Sequence, residues 1–80
     1  MSVPESAVRL LVEGVYQKEQ EQQEATIQQL AGHFGSDPDL AVQSAIRVAE
    51  ECKSRKLLSV PINYQGLTTT TAGRAYIGKP

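Results

Sequence analysis

Residues 26–58 read TIQQLAGHFGSDPDLAVQSAIRVAEECKSRKLL, and the way this stretch divides decides the fold. Thr26 and Gln29 stand at capping-box spacing, so a helix is expected to begin here, with Ile27, Leu30, Ala31 and Phe34 as its buried face. Gly35 is a natural C′ residue, able to take the left-handed conformation and stop that helix. Asp37 can then cap a second helix whose first position is Pro38. The second helix is expected over 38–55. Its inward stripe is Leu40 (or Ala41), Val42, Ala45, Ile46, Ala49 and Cys52, while Asp39, Gln43, Ser44, Arg47, Glu50, Glu51 and Ser54 point outward. Two helices joined by so short a glycine-containing turn must cross at a large angle.

Working outward, the preceding residues predict another amphipathic helix. Val8, Leu11, Val12, Val15 and Tyr16 repeat at i, i+3, i+4, i+7 and i+8. Ser2 and Glu5 match a capping box, and Pro4 suits a first turn. Leu10 falls off the stripe beside Ala7 and Gly14; it reads first as an ordinary exposed leucine and second as a self-association surface. The polar run QKEQEQQE, residues 17–24, reads as the solvated end of that helix and a linker. On the other side, Leu57, Leu58 and Val60 turn strand-like and Pro61 ends the run. Asn63-Tyr64-Gln65-Gly66 is expected to turn, and Leu67 to Thr70 to return as a second strand before a closing turn of helix.

Composition sets the bounds. Eighty residues make one small domain, 1–80, burying about 60% of the surface its unfolded chain exposes. No apolar run approaches the ~20 residues that span a bilayer, and MSVPESAV lacks the regions of a signal peptide. A single cysteine, Cys52, excludes an internal disulfide and fits a reducing compartment, so the expectation is a cytoplasmic chain with no membrane partner. Charge is uneven. Residues 1–51 hold nine acids and three bases (Arg9, Lys18, Arg47), a net −6; residues 52–80 hold five bases (Lys53, Arg55, Lys56, Arg74, Lys79) and no acid, +5. That split suggests an acidic and a basic end, although Lys53, Arg55 and Lys56 are explained first by the negative end of the long helix's dipole.

The segments LAGHFGSDPDLAVQSAI, LLSV and TTAGRAYI, in this order, resemble winged helix-turn-helix DNA-binding proteins. Thr70-x-x-Gly73-Arg74-x-Tyr76 is similar to the LTxxGR segment that closes many bacterial regulators of that class. The resemblance implies a mainly helical α+β fold of three helices, a two- or three-stranded β-wing spanning 57–71 and a short C-terminal helical turn, with Ala25, Thr26 and Ile27 as a brief first strand. Two features depart from the pattern: the long helix is about a turn longer, and residue 56 is Lys where many members have Gly.

Carried over by position, the resemblance places Asp39, Gln43, Ser44 and Arg47 at base edges and phosphates of a major groove, and Asn63, Tyr64 and Gln65 at the wing tip. Thr26, Gln28 and Gln29 fall near a helix start where a phosphate can be met. Gln suits adenine and Arg suits guanine. Against this, the long helix offers one base in its first half, flanked by Asp37 and Asp39, and the wing tip none. DNA binding by a small transcriptional regulator, as a homodimer on double-stranded DNA, is nonetheless the first expectation. A protein-binding winged helix, an adaptor or assembly subunit, is the alternative.

Catalysis, metals and cofactors find no support. One His (His33) and one Cys (Cys52) make no zinc set, and no Ser–His–carboxylate spacing stands out. The glycines form neither GxGxxG nor a phosphate-binding loop. His33 is best read as a dipole-favoured residue of a last helical turn, and Cys52 as a small core residue.

Overall fold

The computed structural model describes residues 3–79, so the expected Ser2 cap lies outside the described residues. The first helix, α1, spans Glu5–Gln20, with Pro4 extended at its N-cap. Val8, Leu11, Val12 and Val15 are buried, as their spacing predicts, and the helix extends into the polar run because Gln, Lys and Glu are good helix formers. β1 follows as Ala25–Thr26. Ile27, read both as the end of a brief strand and as the start of the capped helix, is the first residue of α2 (Ile27–Leu30), because the Thr26 hydroxyl accepts from the Gln29 amide at 3.2 Å and starts the helix there. A 3-10 turn, Ala31–His33, continues it.

The break between the paired helices falls where the sequence puts it, by a different geometry. Gly35 has φ +151, a positive value outside the left-handed helical region expected for it. The chain restarts at α3, Pro38–Ser54, where an Asp37 carboxylate oxygen accepts from the amides of Asp39 and Leu40 at 3.0 and 3.2 Å. The inward stripe of α3 is rotated from expectation. Ala41, Ala45, Val48, Ala49 and Cys52 are buried, Val42 and Ile46 are half-buried, and Leu40 is 62% exposed. The small side chains of this stripe sit with the branched residues of α1 in one core, large against small, and each fully buried Val or Leu there is worth about 1.5–3 kcal/mol.

β2 (Leu58–Ser59) and β3 (Gln65–Thr69) complete an antiparallel sheet of order β1-β3-β2. Leu58 faces Thr69 and Ser59 faces Thr68. On the other side Ala25 faces Leu67 but Thr26 faces Gln65, so Gly66 is the extra residue of a bulge. Its φ of +74 explains why a glycine stands there. The turn accordingly lies earlier than expected, at Ile62–Asn63, and Gln65 and Gly66 belong to β3. Thr70, expected in the strand, is the N-cap of α4 (Thr71–Tyr76), and Thr71 is helical rather than part of the wing.

The ends of α1, α3 and α4 share one device. At Gln22, Lys56 and Gly78 the backbone turns left-handed, with φ of 57, 62 and 75. In each the next amide returns to the carbonyl five residues back: Gln23 to Lys18, Leu57 to Cys52, Lys79 to Arg74. These are Schellman closures, two of them made without glycine.

Residues 70–74 fasten the chain's end. The Thr70 hydroxyl accepts from the Gly73 amide and donates to the Lys56 carbonyl at 2.7 Å. Gly73 lies so close to the backbone of Leu57 that a Cβ would stand 2.0 Å from the Leu57 oxygen. Arg74 donates to the carbonyl and hydroxyl of Thr69. Among the described residues the result is a mainly helical α+β fold of four helices and one three-stranded antiparallel sheet. No helix of the described residues is long and apolar enough to cross a membrane.

Candidate functional site

The outward face of α3 follows from its buried one. With Ala41, Ala45 and Cys52 turned to the core, the 3.6-residue period brings Leu40, Gln43 and Arg47 onto the opposite side, all exposed, with Asp39 and Glu50 at its margins. Asp39, Gln43 and Arg47, three of the residues singled out in the sequence, therefore share one solvent face. Ser44 does not. It is half-buried and turned toward the start of α1, where with Val3, Pro4, Ala7, Phe34, Arg47 and Val48 it borders a shallow groove.

The other candidates divide. Thr26 is half-buried, its hydroxyl occupied in capping α2, and the Ile27 amide beside it donates to the Tyr64 carbonyl at 3.1 Å. Gln28 is exposed on the rim of a groove between α2 and the start of α3, lined by Ala31, Gly35, Pro38 and Val42. Asn63 is exposed at the wing turn, its side-chain oxygen accepting from the Gln65 amide at 3.2 Å. Gln65 is exposed in β3 opposite Thr26, away from the tip assigned to it. Tyr64 is half-buried, and its hydroxyl donates to a Glu50 carboxylate oxygen at 2.7 Å. That bond raises the Tyr64 phenol above its ordinary range.

Three residues of this surface escaped selection in the sequence. Leu40 falls at i, i+3, i+7 spacing with Gln43 and Arg47, so its period could have marked it. Glu50, seven residues after Gln43, carries the same signal. Ile62, 96% exposed between Pro61 and Asn63, has only its place in a turn to mark it.

The charges are distributed differently from the sequence split. Arg55, from the basic C-terminal part, pairs with Glu5 at 2.6 Å and Glu51 at 2.8 Å, both from the acidic part. Tyr76 donates to the other Glu5 oxygen at 2.5 Å. The Tyr76 bond first, then Arg55, holds the Glu5 carboxyl below its ordinary range. Arg9 bonds to Glu13, Lys18 to Glu21 and Gln23, and Arg74 to Thr69. Arg47 makes no ion pair or side-chain hydrogen bond among the described residues. Burial pushes the Cys52 thiol up to about 11, which leaves it protonated and inert at neutral pH. Among the described residues no group of three or more His, Cys, Asp or Glu side chains is placed to hold a metal.

The element order and the sheet are compatible with a winged helix: a helix, a short strand, two helices across a tight turn, then a hairpin that leads into a last short helix. Comparison with protein-family models, with curated proteins and with solved structures gives no match.

Proposed function

We propose that this chain is a non-enzymatic DNA-binding protein of the winged helix-turn-helix type, a small transcriptional regulator. In this reading α3 enters the major groove and the β2–β3 wing lies on the backbone. One observation carries it. Arg9, Arg55 and Arg74 bond to groups of their own chain, whereas Arg47, on the outward face of α3 and one turn from the exposed Gln43, keeps all its donors free among the described residues. A free guanidinium beside an amide is the side-chain pair suited to guanine and adenine edges. Two copies would double the few contacts of one.

The test is a mobility shift on duplex DNA over a series of salt concentrations. Arg47→Ala should weaken binding by about 1–3 kcal/mol and lower the salt slope by about one. Binding that ignores salt, or ignores the substitution, sinks the reading.

A second reading, a protein-binding adaptor or assembly subunit, is favoured by the acids on and beside the start of α3, Asp37, Asp39 and Glu50, together with the exposure of Leu40 and Ile62. It expects a stable protein complex that survives nuclease treatment; recovering only nucleic acid would reject it.

A further inference from the structure

Tyr64 occupies an unusual position for a side chain at the edge of an exposed turn. Its backbone is left-handed, with φ 57, a conformation a tyrosine keeps only when its surroundings fix it. Its amide donates to the Pro61 carbonyl at 3.0 Å and closes the turn over Ile62 and Asn63. Its carbonyl accepts from the Ile27 amide at 3.1 Å, meeting a first-turn donor of α2 that the helix cannot satisfy itself. Its hydroxyl reaches α3 at Glu50. One residue thus joins the wing turn, the start of α2 and the outward margin of α3.

We propose that Tyr64 is a positioning residue of the interface rather than one of its contacts: through Glu50 it holds the wing tip, Ile62 and Asn63, in fixed register with the Gln43–Arg47 face of α3. The inference rests on the DNA reading for its partner, and on the three Tyr64 bonds for its geometry. It also gives Glu50 a use. An unpaired carboxylate beside a phosphate backbone opposes binding, but as the acceptor for Tyr64 it keeps both parts of the surface aligned.

The two effects of Glu50 have opposite signs, which makes the proposal testable. Glu50→Gln removes the charge and keeps an acceptor, so duplex affinity should rise. Glu50→Ala removes both, and its affinity should fall below that of Glu50→Gln. Tyr64→Phe, which loses only the hydroxyl, should weaken binding about three- to tenfold at an unchanged salt slope, because no charge is lost. Amide hydrogen exchange gives the second readout. In Tyr64→Phe and Glu50→Ala the amides of Tyr64 and Gln65 should exchange several-fold faster, while those of Val12 and Val15 in α1 stay at wild-type rates. Adding Tyr64→Phe to Glu50→Ala should change nothing further. If it weakens binding in that background by the same factor as alone, Tyr64 touches the DNA directly and the proposal fails. Wild-type wing exchange in Tyr64→Phe also overturns it. A wild-type protein that binds no duplex overturns the DNA reading instead, and the exchange arm then decides the fastening of the wing by itself.

Discussion

The two ends of α3 are built for opposite purposes. At its start the helix is held by its own neighbour, the Asp37 carboxylate on two amides, and Asp39, Leu40 and Gln43 stand in solvent. At its end several groups are bound to distant parts of the chain. Lys56 turns left-handed to close the helix, Thr70 donates to its carbonyl, Gly73 packs on Leu57, and Arg55 is shared by Glu5 and Glu51. The buried stripe of α3 runs from Ala41 to Cys52, but the polar bonds to distant residues gather at the far end and the free outward side chains at the near end. Those outward side chains can be presented without being spent on the fold.

The largest effect that distinguishes the two ends should come from Gly73→Ala. A methyl group 2.0 Å from the Leu57 oxygen meets backbone on a segment already tied by two hydrogen bonds from Thr70, so neither side can give way cheaply. A loss of about 3 kcal/mol or more is expected, enough to unfold a domain of marginal stability. Leu40→Ala, at the near end, should stay within about 0.5 kcal/mol. Thermal or urea unfolding checks both, and equal losses at the two positions would erase the contrast.

What the sequence disclosed follows the same division. The near end of α3, like the start of α2, rests on local chemistry: Asp37 before Pro38, Thr26 three residues before Gln29, and an apolar period that places α1 and α3. Those features were legible because partner and donor lie within one turn. The far end and the wing depend on residues distant in the chain. Leu40 was ambiguous with Ala41 because either keeps an apolar period; only packing against α1 and α2 turns Ala41 inward. Asn63-Tyr64-Gln65-Gly66 reads as a turn, but pairing with β1 draws Gln65 into the sheet and makes Gly66 a bulge. The bond from Tyr64 to Glu50 crosses 14 residues and leaves no trace in local spacing. The likeness of Thr70-x-x-Gly73-Arg74 to a family segment was visible; its physical basis, a cap, a close approach and a guanidinium on Thr69, required the tertiary structure.

Lys56 gives the next effect in size, and in the stabilising direction. Its φ of 62 costs a side-chain-bearing residue about 1–2 kcal/mol, a cost met because the Schellman bonds and Thr70 hold the turn. Lys56→Gly keeps every backbone bond and removes the steric strain, against a larger entropy loss for glycine on folding. A net gain of about 0.5–1 kcal/mol is expected, raising the melting temperature by about 4–8 °C per kcal/mol. Destabilisation by Lys56→Gly would mean the lysine side chain itself supports the far end.

The smallest effect concerns the Glu5 junction that ties α1 and α4 to the end of α3. The Tyr76 hydroxyl first, then Arg55, depress the Glu5 carboxyl below its ordinary value. A group depressed in the folded state stabilises above its unfolded value and loses that contribution as pH falls through the folded one. Tyr76 is raised by the same bond, so its share is present below its ordinary range, about pH 10, and fades as pH rises beyond. Between those limits the junction is intact. Glu5→Gln should therefore lower the melting temperature slightly at pH 7, and the difference from wild type should shrink below about pH 4. Since the groups are exposed, added salt should shrink it too. A difference that persists unchanged to pH 3 would show that the packing of residue 5, and not its charge, fastens this end of the helix.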